Sequence, residues 1–163
     1  MPPKIYKNFI NTSIFNFKDL DYLLKTHPHD KIEIIKNNIK EKFDFSKIDD
    51  DVSLIISDCH SFKKIFHSFK DIFVSKFPIL KNSKRWDVHI YVSFSKNSST
   101  FNIHQDNSYN CIMQMEGKGK WSVPPYFESE VTCGDLLWIP SQVKHGYIPL
   151  SKRISISFPF YFD

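Results

Sequence analysis

Glycine is scarce in this chain. There are four in 163 residues, all between Gly117 and Gly146, so a glycine-free first part rich in Lys, Phe, Ile and Asn precedes a last part of different texture. Cysteine is nearly absent too: Cys59, Cys111 and Cys133 are odd in number and lack CxxC spacing, which excludes a disulfide framework and a zinc knuckle. No apolar run approaches the roughly 18 to 20 residues needed to cross a bilayer, so no membrane partner is expected. The start, Met1-Pro2-Pro3-Lys4, has no stretch apolar enough for a secretory signal. A reducing, cytoplasmic location is therefore expected, and the Lys/Asn/Ile/Phe bias points to an AT-rich genome, bacterial or viral. The net charge of +4 contains no dense Lys/Arg block, so it neither demands nor excludes a nucleic-acid partner. Oligomeric state has no signature here. P-loop, GxGxxG, nucleophile-elbow and HExxH motifs are all missing. With 41% apolar and 25% charged residues, and 16 Phe, 7 Tyr and 3 Trp, the chain has the bulk for one core, and a single domain over 1–163 is expected.

Periodicity divides that domain. Ile32, Ile35, Ile39 and Phe43 recur at three and four residues, with Asp30 and Glu33 resembling a capping box, and predict a helix over 30–43. Phe62, Phe66, Phe69, Phe73 and Phe77 predict a second over 60–77, ended by Pro78. A shorter helix is expected near 18–26 and a strand over 52–56. From Trp86 the period becomes two: Trp86, Val88, Ile90, Val92 and Phe94 alternate with Asp87, His89, Tyr91, Ser93 and Ser95. Further strands are predicted at 100–106, 109–116, 119–123, 135–139, 145–150 and 153–160. The fold class read from this is mainly β with N-terminal helices: a helix-rich scaffold over 1–85 packed on an antiparallel sandwich or small barrel over 86–163.

His104, Asp106 and His145 stand out chemically. In an extended segment residues i and i+2 share a face, so the His104 imidazole and the Asp106 carboxylate project together. His145 follows Gly134-Asp135-Leu136-Leu137-Trp138-Ile139-Pro140, a strand and turn able to return it beside that pair. Two histidines and one carboxylate on one face of a divalent metal leave positions open, the donor set of non-heme Fe(II) oxygenases. Each fragment alone is weak; the joint pattern is not.

The stretch 101–160 resembles the double-stranded β-helix (jelly-roll, cupin-like) core of Fe(II)- and 2-oxoglutarate-dependent oxygenases, most of all the JmjC/cupin-like hydroxylase branch. The resemblance rests on His104-Gln105-Asp106, on Gln114-Met115-Glu116-Gly117 leading into Lys120-Trp121, on the Gly134–Pro140 segment before His145, and on Arg153-Ile154-Ser155. It implies that His104, Asp106 and His145 bind Fe(II), and that 2-oxoglutarate and O₂ are cosubstrates. The implied reaction is hydroxylation with oxidative decarboxylation of 2-oxoglutarate to succinate and CO₂. The distal carboxylate of 2-oxoglutarate needs a cation; Arg153 with Ser155 is the first choice and Lys120 the second. Tyr91 and Gln114 are candidates to line the same pocket, with His89 and Asn110 beside them. The prime substrate expected from the resemblance is a protein or peptide side chain, with a small molecule as the alternative. Two rival readings stand: a cupin-like metal-binding protein without 2-oxoglutarate oxygenase activity, and a non-catalytic binding domain. Against the first, cupins use His-x-His plus Glu where this chain has His104-Gln105-Asp106. Against the second stands the intact ligand set. Trp121 and Trp138 read as core, and His60 and His67, without a carboxylate partner, as surface residues.

Overall fold

A computed structural model describes residues 1–163. Strand β1 (Lys4–Tyr6) leads into helix α1 (Phe17–Thr26), followed by strands β2 (Ile32–Lys36), β3 (Ile39–Lys42) and β4 (Ser53–Ile56) and helix α2 (Lys64–Lys76). The remainder is strand: β5 (Arg85–Trp86), β6 (His89–Ser93), β7 (Tyr109–Glu116), β8 (Gly119–Val123), β9 (Phe127–Val131), β10 (Leu136–Ile139), β11 (Gly146–Pro149) and β12 (Arg153–Tyr161).

Two antiparallel sheets form. The larger runs β1-β10-β7-β12-β6-β4-β2-β3, with β5 paired to β12, and the smaller runs β11-β8-β9. This is the double-stranded β-helix, jelly-roll architecture, extended at one edge by β4, β2 and β3. The centre of the large sheet, β4, β7 and β12, is buried on both faces. Along β12, Ile154, Ile156, Phe158 and Phe160 face the helices, while Arg153, Ser155, Ser157, Pro159 and Tyr161 line the space on the opposite side. The helix side holds a cluster of 28 buried residues, into which α1 sends Leu20 and Leu23 and α2 sends Phe66, Phe69 and Phe73. Each Phe fully withdrawn from water there contributes about 1.5–3 kcal/mol. A smaller cluster, including Ile112, Trp121, Val123, Leu137 and Tyr147, joins the two sheets near one end.

Local chemistry explains the helix ends. Asn16 accepts from the backbone N–H groups of Lys18 and Asp19, and the Asp19 carboxylate accepts from the Asn16 N–H in return, a complete capping box at α1. Helix α2 begins at Lys64 rather than near 60, and Pro78 opens a short 3₁₀ turn over Pro78–Asn82.

The predicted helix over 30–43 is corrected: the segment is the β2–β3 hairpin, closed by Asn37 and Asn38 with φ of +51° and +64°. Two adjacent left-handed residues make the tight turn that matches strand twist, and Asn tolerates that region better than most side chains. Ile34 and Ile35 are both buried because β2 is covered on its two faces, so its apolar residues do not alternate and mimic a helical stripe. Residues 1–85 accordingly carry four strands beside two helices, and these strands belong to the same large sheet as those of 86–163. Two further strands, β1 and β9, lie outside the predicted set.

Candidate metal and anion site

Residues 100–106 are a loop rather than the predicted strand. Its one regular contact is an isolated antiparallel bridge, in which the His104 N–H donates to the His145 carbonyl (3.0 Å) and the His145 N–H donates to that of His104 (2.8 Å). The loop lacks a partner strand along most of its length, and Ile103 is 53% exposed. Gln142, in the left-handed region at φ +65°, turns the chain so that its N–H donates to the Asp106 carbonyl at 2.8 Å. These few bonds bring together what the sequence separates.

In both histidines the ring Nδ1 lies against a backbone carbonyl, Asn102 O at 2.8 Å for His104 and Val143 O at 2.9 Å for His145. Each carbonyl accepts the Nδ1–H, so Nε2 is the ring nitrogen left to face Asp106 and to take a metal. The Nε2 atoms stand 3.7 Å (His104) and 3.4 Å (His145) from the two carboxylate oxygens, and the three ligand atoms all lie within 4.8 Å of one another. Burial raises the Asp106 carboxyl, and the contact with His145 and the positive potential of His145, His104 and His89 more than offset that, holding it below the usual carboxylate range. Two imidazole lone pairs and an ionised carboxylate on one side fit an octahedral divalent ion with open positions.

The triad opens onto a cavity of about 840 Å³ floored by the large sheet. Arg153 lies in its wall, 4% exposed. Its Nε donates to Ser93 Oγ (2.9 Å) and Nη1 to Ser155 Oγ (3.0 Å), and the guanidinium stacks 4.3 Å from the Tyr147 ring centroid. Ser155 donates onward to Gln114 Oε1 at 2.9 Å, and the Gln114 amide is held by its own bond to the Glu116 carbonyl. No carboxylate pairs with Arg153, and burial alone pushes its pKa down. A buried guanidinium with spare donors and no counterion has the chemistry to pair with an anion.

Tyr91 lines the same wall, its ring 5.8 Å from the guanidinium, and burial pushes its hydroxyl pKa up. Asn110, His89 and Trp121 also reach the cavity. Lys120 does not: alternation along β8 turns it outward to Glu128, at 3.7 Å, while Trp121 turns in. At the neighbouring inward position stands Gly119, where a Cβ would overlap the Tyr147 hydroxyl. Tyr147 thus fills the place a side chain of β8 would take and roofs Arg153 as well. It escaped the sequence reading because an aromatic in an alternating strand signals core. Ser93, whose hydroxyl also meets Ser53 at 2.9 Å, was equally silent.

No family model matches the chain, and no curated protein matches it in sequence. The fold and cavity define the class: a double-stranded β-helix with a two-histidine, one-carboxylate cluster at one end and a buried arginine in its wall. Among solved structures the chain is similar to YcfD, a ribosomal oxygenase from Escherichia coli, with a TM-score of 0.74 and 18% identity over 97% of this chain and 47% of that one. It is also similar to YcfD in complex with cobalt and succinic acid (TM-score 0.76, 18% identity, 97% and 47% covered) and with cobalt and 2-oxoglutarate (0.73, 18%, 97% and 47%). The chain spans about half the length of that protein, and at this identity the likeness establishes the fold.

Proposed function

We propose that the chain is an Fe(II)- and 2-oxoglutarate-dependent dioxygenase that hydroxylates a protein side chain. The observation that carries this is the joint presence, in one cavity, of an N,N,O metal triad and a buried arginine without a counterion. The solved complex of YcfD with cobalt and 2-oxoglutarate supports the same pairing of ligands.

His104, Asp106 and His145 would hold the metal. Bound there, Fe(II) supplies O₂ activation coupled to oxidative decarboxylation of 2-oxoglutarate to succinate and CO₂, and thereby hydroxylation of the substrate. The protein's part is positional. The Asn102 and Val143 carbonyls fix both imidazoles in the ligating tautomer. The depressed pKa of Asp106 keeps a carboxylate available through the neutral range. Arg153 receives the distal carboxylate of the cosubstrate, steered by the Ser155–Gln114 relay, and Tyr147 shields that ion pair from water. Beyond the anchor the cavity spreads over β6, β4 and β2 to Ile55 and Glu33, room for a side chain presented by a larger substrate. That YcfD is a ribosomal oxygenase supports a protein as the substrate.

The test is succinate formation by anaerobically Fe(II)-loaded protein exposed to O₂ with 2-oxoglutarate, beside Asp106→Ala. Succinate that requires both Fe(II) and Asp106 is the expected result. If the metal-loaded protein neither forms succinate nor binds 2-oxoglutarate, the cupin-like metal-binding reading replaces this one.

A further inference from the structure

A second group of metal-ligating side chains, Asp58, His60 and Asp87, stands beside the cavity, which Asp87 alone of the three lines. His60, expected on a helix without a carboxylate partner, instead lies in the turn before α2, and its Nδ1 sits between two carboxylates: 3.2 Å from Asp87 Oδ1 and 3.3 Å from Asp58 Oδ1. All three ligand atoms lie within 4.8 Å of one another, the same limit the first triad meets, and the two nitrogen–oxygen distances are shorter than the 3.4 and 3.7 Å found there. Ligand atoms held about 2.1 Å from a divalent ion stand about 3.0–3.4 Å apart, so the spacing is that of a coordination edge. One nitrogen cannot donate well to both carboxylates at once, whereas an ion can serve all three.

The surroundings hold these ligands in place. Asp87 is fixed by four donors: Val88 N–H (2.7 Å) and His60 on Oδ1, Asp58 N–H (2.9 Å) and His89 Nε2 (2.9 Å) on Oδ2. An ion replacing the His60 proton leaves the other three bonds intact, with His89 buttressing the carboxylate as outer-shell partners of metal ligands do. The His60 ring is set edge-on to Trp86 at 5.8 Å. Burial raises the Asp87 carboxyl, but the bond and charge of His89 and the two backbone donors hold it well below the usual range. We propose that Asp58, His60 and Asp87 form a second divalent-metal site, of the Zn²⁺ or Mn²⁺ class, water completing its exposed side, that clips the segment before α2 to the β5–β6 corner.

The test is Zn²⁺ binding by native mass spectrometry and calorimetry on the full chain with the first site disabled by His104→Ala and Asp106→Ala. One equivalent should remain, and Zn²⁺ should raise the melting temperature of that protein, reversibly with chelator. Adding His60→Ala or Asp58→Asn should remove the equivalent, adding His67→Ala should not, and adding His89→Ala should weaken it about 10- to 100-fold. Asp58 is half exposed, so its variant guards against misfolding of the His60 variant. No bound Zn²⁺ in the disabled protein, or binding indifferent to both His60 and Asp58, overturns the proposal. A wild-type protein that binds a single equivalent, sensitive to His60 but not to His104, leaves this site standing and removes the first.

Discussion

The two faces of β12 obey opposite rules. Ile154, Ile156, Phe158 and Phe160 enter an apolar core against α2, whereas Arg153, Ser155 and Ser157, equally hidden from bulk water, face a cavity. Burial on the first face contributes stability by removing apolar area from water. Burial on the second withdraws hydroxyls and a guanidinium from water, which costs stability unless partners compensate. The second face thus holds polar groups whose burial a bound ligand would help to offset, and substitutions on the two faces should separate stability from binding.

The largest effect belongs to the apolar face. Phe73 is fully buried, with Phe158 edge-on at 5.0 Å and Phe9 stacked at 6.0 Å. Phe73→Ala should cost about 3–5 kcal/mol in urea unfolding, with 2-oxoglutarate affinity of the folded fraction unchanged. A comparable loss of affinity would mean the faces are not independent.

Asp135 supplies the next contrast, a buried charge that is fully paired. Its side chain is 1% exposed and accepts from Asn8 N–H, Thr132 N–H and Lys7 Nζ, all at 2.9 Å. Burial raises its pKa, and the backbone donors and Lys7 outweigh that and lower it overall. The folded pKa lying below the unfolded one, the carboxylate stabilises the protein above the unfolded value, near 4, and loses that contribution as pH falls through the folded value. Asp135→Asn should destabilise the protein at pH 7 by about 1–3 kcal/mol, the cost of unpairing buried donors, and the gap between the two proteins should narrow as pH falls below about 4. A gap independent of pH would show that packing, not charge, is what Asp135 provides.

Arg153 is the unpaired counterpart. Arg153→Leu should weaken 2-oxoglutarate binding to the metal-loaded protein about 10- to 100-fold, the worth of a charge-assisted bond. Stability should change by less than about 1 kcal/mol or rise, because Ser93 keeps its bond to Ser53 and Ser155 its bond to Gln114. Lost stability with unchanged affinity would make Arg153 a structural residue and break the contrast between the faces.

How much of this was legible depended on whether the two faces of an element carry different residue types. Helices α1 and α2 and strands β6, β7 and β12 carry periodic patterns because their neighbours impose them. The HxD pair, His145 and Arg153 were legible as residue types at familiar spacings. Their supports were not: Tyr147 and Ser93 act through contacts between strands far apart in sequence, and the pairing of Asp58 with His60 and Asp87 depends on a turn with φ +61° at Asp58 that no periodicity announces. Segment 30–43 misled because β2 carries isoleucine on both faces, Ile34 packing toward the helices and Ile35 lining the cavity.

That last difference is open to the gentlest test. Asn38 occupies the second position of the β2–β3 turn at φ +64°. In such a turn glycine is the preferred residue there, so Asn38→Gly should stabilise the protein by a few tenths of a kcal/mol, up to about 1. In the interior of a helix over 30–43 the same substitution would destabilise, because glycine is among the poorest helix formers, at about 1 kcal/mol below alanine. The sign of the change in the urea midpoint therefore decides between hairpin and helix. A hairpin at this position is what carries Glu33 and Ile35 to the far wall of the cavity.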